Sequence, residues 1–205
     1  MSEYSTQLLQ LLERRSILQR GTFTLKSGRT SSYFFDFGRL YRGADIADLG
    51  RIYAEFVVSN WPLQAVDQAG SEHQIDVLFG PAYKGISLAV SCALALSQQG
   101  YDLDTAYNRK ERKQHGEGGV CVGAPLNQRS VLILDDVLTA GTAVREAVSL
   151  VRSMGAKVAG VLVALDRCEP AVQGGDASLT AAESLRTELG IRIESIAKAK
   201  DWGLH

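Results

Sequence analysis

From residue 75 onward, short apolar runs alternate with segments whose apolar residues return every three or four positions. The runs IDVLF (75–79), DTAY (104–107), SVLILD (130–135), KVAGVLVALD (157–166) and IRIESIA (191–197) predict strands. Between them, GISLAVSCALALSQ (85–98), GTAVREAVSLVRSMG (141–155) and SLTAAESLRTELG (178–190) predict helices, the second closed by Gly155. Earlier in the chain, Leu8, Leu9, Leu11 and Leu12 give residues 3–15 a broad apolar helical face. Ile46, Leu49, Ile52, Tyr53, Phe56 and Val57 do the same for residues 44–59. Residues 21–43 are polar and aromatic and predict short strands and turns, while 60–74, with Pro62 and Gly70, predict a loop. Strand–helix alternation argues for an α/β fold, a parallel sheet with helices on both faces. Ligands of such sheets bind at the carboxyl ends of the strands, here after Phe79, Tyr107, Leu134 and Leu165.

Composition narrows the classes. At 205 residues the chain suits one domain with a substantial core. With 22 Lys+Arg against 23 Asp+Glu the net charge is −1, which argues against broad nucleic-acid or membrane-surface binding. No apolar run is long enough to span a bilayer. The amphipathic start MSEYSTQLLQLLERRS has no basic n-region and does not read as a secretory signal. Cys92, Cys121 and Cys168 are scattered, as expected of thiols in a reducing cytoplasm. His73, His115 and His205 are too dispersed to suggest a metal site.

The four strand ends carry the candidate chemistry. GPAYKG follows Phe79, a tight turn presenting backbone amides and Lys84. NRKERKQHGEGG (108–119) follows Tyr107, with Arg109, Lys110, Arg112 and Lys113 ahead of His115 and three glycines. A solvated loop is the plain reading of such a run. At a sheet end, with glycines for mobility, it also reads as a cationic lid over a polyanion. After Leu134 come Asp135 and Asp136, then Thr139-Ala140-Gly141-Thr142, a small-residue turn into a helix that suits phosphate. Asp166-Arg167 ends the next strand, and upstream Lys26 and Arg29 lie near Tyr33-Phe34-Phe35. So many cations at one end of a nearly neutral chain suit a ligand with several phosphates.

VLILDDVLTAGTA resembles the phosphoribosyl-diphosphate (PRPP) motif of type I phosphoribosyltransferases. Within that group FTLKSGRTSSYFF (23–35), FGPAYKGI (79–86), the basic HGEGG loop and ALDRCE (164–169) resemble orotate phosphoribosyltransferases, in that family's order. The resemblance implies a single domain over 1–205, with a small N-terminal hood at about 1–43 and an α/β core at about 44–197. It implies transfer of ribose 5-phosphate from PRPP to orotate, giving orotidine 5′-monophosphate and diphosphate in pyrimidine synthesis. Mg²⁺ would be carried mainly by the PRPP diphosphate. It also implies a cytoplasmic homodimer whose loop 109–119 reaches the partner's active site. Carried over by position, Lys26, Tyr83, Lys84, Arg109, Lys110, Lys113 and His115 would contact diphosphate. Asp135, Asp136, Val137, Leu138, Thr139, Ala140, Gly141, Thr142 and Ala143 would hold the ribose 5-phosphate. Phe34, Phe35, Thr139 and Arg167 would contact orotate, and a cis peptide is expected at Ala82–Tyr83. Ser32 stands where the family usually has proline, Asp135 where glutamate is common, and Gln114 replaces an acid.

Breaking the bond between ribose C1 and diphosphate builds positive charge on the sugar and negative charge on the leaving group. Catalysis therefore falls to Lys26, Lys113 and the acids Asp135 and Asp136, with the ring nitrogen of orotate as nucleophile. The carboxylates would take the ribose 2- and 3-hydroxyls, and the amides and hydroxyls after them the 5-phosphate. The competing readings are a phosphoribosyltransferase for another base and a PRPP-binding regulator.

Overall fold

The computed structural model describes residues 2–24, 30–63, 75–111, 120–170 and 179–204. α1 (Glu3–Arg14) starts at Ser2, whose hydroxyl accepts from the Ser5 amide at 3.2 Å, and buries Leu8, Leu11 and Leu12. β1 (Leu18–Thr24) and β2 (Thr30–Phe35) form a separate antiparallel ribbon with an irregularity between Arg20 and Phe23. α2 (Gly43–Asn60) follows, packed on α1 and held to it by Arg14 and Arg15 on the buried Asp45.

The central sheet takes β3 (Val77–Phe79), β4 (Asp104–Asn108), β5 (Cys121–Gly123), β6 (Ser130–Leu138), β7 (Lys157–Asp166) and β8 (Ile193–Lys198). Their order is β5-β4-β3-β6-β7-β8, parallel except for β5 at one edge. α3 (Lys84–Ser97), α4 (Thr142–Ser153) and α5 (Ala181–Leu189) connect them. Strand alternation divides the core in two. Leu78, Leu132, Leu134, Leu162 and Ala164 pack with α1, α2, α3 and the ribbon. Val77, Phe79, Val131, Ile133, Val161 and Val163 face the α4–α5 layer.

The chain leaves β3 toward β4 on one side and leaves β6 toward β7 on the other. The two departing turns open a crevice between adjacent carboxyl ends, the switch point at which such sheets bind ligands.

Three features differ from the sequence expectation. β6 runs on to Leu138, so both acids lie within the strand. The short β5 adds an antiparallel edge. Past β8 a 3-10 turn, Ala199–Trp202, buries Trp202, whose Nε1 donates to Ser5 Oγ at 3.0 Å and ties the two ends of the chain together.

Candidate active site at the switch point

On the β3 side of the crevice, Gly80 and Gly85 approach so closely that a Cβ on Gly80 would overlap the Gly85 carbonyl. The Ala82–Tyr83 peptide is cis, as the resemblance implies. The Ala82 amide donates to Asn108 Oδ1 at 2.8 Å, which fastens this turn to the end of β4. Tyr83 is exposed, with Lys110 Nζ 4.9 Å from its ring centroid. Arg109 follows Asn108, and its Nη1 is buried without a hydrogen-bond partner among the described residues. A buried guanidinium nitrogen in that condition suits an anionic ligand.

Lys84 opens α3 and reaches across the crevice, donating from Nζ to Asp136 Oδ2 at 2.8 Å. Asp135 Oδ1 accepts from the Asp136 amide and Asp136 Oδ1 from the Val137 amide, each at 2.9 Å. One oxygen of each carboxylate therefore stiffens the strand end. Burial, and then the adjacent Asp136 charge, push the Asp135 carboxyl up to about 7. Val137 is half-buried and Leu138 buried. Their side chains anchor this stretch, so their part in any ligand contact falls to the backbone.

Beyond Leu138 the turn exposes Thr139, Thr142 and Ala143 to solvent, with Ala140 half-buried. Gly141 is the residue before α4, with φ +82°, and a Cβ there would overlap Leu185 of α5. Left-handed backbone and a packed neighbour both demand glycine. The first amides of α4 lack helical partners and carry the positive end of the helix dipole, a preformed anion cradle. Arg145 braces it, donating from Nη1 to the Ala140 carbonyl at 3.1 Å and gripping Glu188 of α5 at 2.8–2.9 Å.

At the β7 end, Arg167 is buried, its guanidinium 4.4 Å from the Tyr33 ring centroid. Nε donates to Glu169 at 2.6 Å and Nη2 to Ser31 Oγ at 3.0 Å. Ser31 Oγ donates to the Tyr33 carbonyl at 2.7 Å, and the Arg167–Ser31 bond fixes β2 to the end of β7. Thr30, Ser31, Tyr33, Arg167, Glu169 and Lys200 line a cavity of about 420 Å³ here.

Phe34 and Phe35, both expected to contact orotate, point to opposite faces of β2. Alternation along β2 leaves Phe34 exposed beside Phe23, while Phe35 packs in the core against Tyr33, Phe37 and Trp202. Lys26, Arg29, Arg112, Lys113 and His115 lie outside the described residues. Five contributors went unread in the sequence: Tyr53, Asn108, Arg145, Glu188 and Glu169. Asn108 and Glu169 stand at the ends of NRKERKQHGEGG and ALDRCE, which are read for their cations; Tyr53 lies on an apolar helical face, and Arg145 and Glu188 belong to no motif.

The phosphoribosyl transferase domain family matches residues 52–173. An orotate phosphoribosyltransferase of Xanthomonas campestris pv. campestris is 48% identical over 98% of this chain and 86% of its own. The solved orotate phosphoribosyltransferase of Francisella tularensis superposes with a TM-score of 0.76 at 33% identity, over 95% of this chain and 86% of that one. That of Mycobacterium tuberculosis, solved in complex with PRPP, gives 0.68 at 25% identity over 98% and 99%. With two acids, a lysine and an anion cradle facing one crevice, the chain belongs to the phosphoribosyl transferase domain family, as an orotate phosphoribosyltransferase.

Proposed function

We propose that this crevice binds PRPP and that the chain transfers its ribose 5-phosphate to orotate, forming orotidine 5′-monophosphate and diphosphate, for pyrimidine synthesis. The observation that carries the reading is the Lys84–Asp136 contact at 2.8 Å, which brings a cation and the acid pair together beside the α4 amides. A phosphate seated on residues 139–143 puts the attached ribose against Asp135 and Asp136, and its diphosphate on the side of Lys84, Arg109 and Lys110.

The chain's own residues then divide the work. The α4 amides and the Thr139 and Thr142 hydroxyls hold the 5-phosphate. Asp135 and Asp136 accept from the ribose hydroxyls and favour positive charge developing on the sugar. Lys84, Arg109 and Lys110 face the departing diphosphate, with Lys26, Lys113 and His115 added from segments read in sequence alone. Arg167, held by Glu169 and Ser31, is aimed at the carboxylate or ring oxygens of orotate, with Thr139 and the exposed Phe34 beside it. Phe35 supports that strand from the core side.

Mg²⁺ suits this donor set. It takes one or two carboxylates together with substrate phosphates rather than an all-protein cage, and Asp135 and Asp136 supply the protein oxygens. Bound there with diphosphate, it would neutralise charge on the leaving group.

A second copy of the chain completes the proposed assembly. Val90 and Leu94 are exposed apolar residues on α3, and Tyr83 is exposed beside the β4 end that begins loop 109–119. Three unpaired cysteines fit a cytoplasmic setting.

Base identity is the sharpest test. Diphosphate release is measured with PRPP, Mg²⁺ and, in turn, orotate, uracil, adenine and hypoxanthine. Release with orotate alone supports the reading. Equal or faster release with an uncharged base overturns it.

A further inference from the structure

We propose that Tyr53 is a positioning residue for the reaction, its buried hydroxyl setting the direction of the acid pair through the Asp135 backbone. This rests on the reading that Asp135 and Asp136 hold the ribose. Tyr53 lies within α2, fully buried, with its hydroxyl 2.6 Å from the Asp135 carbonyl oxygen, to which it donates. Its proton is therefore committed to the β6 backbone. A tyrosine hydroxyl keeps its proton at neutral pH, so it acts here as a donor.

The peptide planes on either side of Asp136 control both carboxylates. The Asp135–Asp136 peptide offers its carbonyl to Tyr53 and its N–H to Asp135 Oδ1. The next peptide offers its N–H to Asp136 Oδ1, whose partner oxygen Oδ2 meets Lys84. Rotating the first plane would break the contact to Tyr53 and the one to Asp135 together, and would swing Asp136 away from Lys84. A helix from the opposite layer thus reaches through the core to the one carbonyl that fixes both acids. A phenylalanine would fill this volume; only a hydroxyl donor at this point aims the strand end.

Tyr53→Phe keeps the ring and removes the donor. It is expected to fold, to lose roughly 10-fold or more in kcat and to raise KM for PRPP several-fold, leaving KM for orotate unchanged. A purely structural tyrosine would lower the melting temperature without that split. The second readout is a double-mutant cycle with Asp135→Asn. If Tyr53 acts through Asp135, adding Tyr53→Phe to Asp135→Asn costs little further, and losses that simply multiply overturn the proposal. Replacing Tyr53 by 3-fluorotyrosine restores a hydroxyl and should restore kcat; loss of activity with that hydroxyl present also overturns it. Wild-type activity in Tyr53→Phe beside an inactive Asp135→Asn defeats the positioning role alone. Wild-type activity in Asp135→Asn defeats the reading of the acid pair, and this proposal with it.

Discussion

Asp135 carries opposite consequences for stability and for chemistry. Its folded-state carboxyl is raised to about 7 by burial and by Asp136, against about 3.9 in an unfolded chain. A raised acid makes the folded state bind the extra proton between those values. Its contribution to stability is thus full below about pH 4 and is lost as pH rises through about 7. Solvent reaches part of this half-buried side chain, so the loss is roughly 1–2 kcal/mol rather than the full shift. Asp135→Asn should therefore melt higher than wild type at pH 8, with the gain shrinking toward pH 5, while turnover collapses. Thermal melts across that range check the first half, and an Asn variant less stable at pH 8 would contradict it. The ionised acid is the useful form when positive charge develops on a bound ribose, and kcat/KM reports that ionisation in the free enzyme. The kcat/KM for PRPP should accordingly rise with pH through about 7, where Asp136, Lys84 and the Tyr53 hydroxyl are the groups facing it. On the proposal that 109–119 acts as a lid, Lys113→Ala should reduce turnover far more than melting temperature. Near wild-type turnover would remove Lys113 from the lid.

Elements differ in how plainly the chain announces them. β7 spans Lys157–Asp166, the stretch its apolar run predicts, because a central parallel strand is buried on both faces and needs no polar alternation. α3 starts at Lys84 and ends at Ser97, within a residue of expectation, its inner face carried by Leu88, Ala89, Cys92 and Leu96. β6 is longer than its apolar run because its two acids stay in the ladder with β7 while their carboxylates hold the following amides. Charge reads as the end of a strand unless that local bonding is known. β5 is hard to read because three residues carry no periodicity and its pairing, among the described residues, is with the edge of β4; and the expectation that Phe34 and Phe35 both contact orotate overlooks that a strand points neighbours to opposite faces. The strand-end rule names the crevice of the candidate site, yet the brace on the turn before α4 comes from Glu188 of α5, for which no motif exists. That brace is testable. Glu188→Ala frees Arg145, which braces the Ala140 carbonyl, and should raise KM for PRPP several-fold while leaving the melting temperature nearly unchanged, as loss of an exposed pair does. An unchanged KM would show that Gly141 against Leu185 positions the turn unaided.

At the level of the whole molecule, the two core layers hold the site from opposite sides. α2 reaches the acids from one face, α5 supports the phosphate turn from the other, and the β1–β2 ribbon is fastened to the β7 end through Ser31 and Arg167. The proposed dimer predicts complementation. Lys113→Ala and Asp135→Asn subunits, inactive alone, should on mixing regain about a quarter of wild-type activity, since half the dimers then carry one intact site. No recovery after verified subunit exchange would place loop and acids in the same protomer's site. The most direct measurement of the central claim is simpler. Purified protein is mixed with PRPP, Mg²⁺ and orotate, and the ultraviolet absorbance of orotate is followed, alongside Asp136→Asn at equal concentration. The account predicts a fall in absorbance that requires PRPP and is nearly abolished in the variant. Unchanged absorbance with wild type, or an undiminished fall with Asp136→Asn, would contradict it.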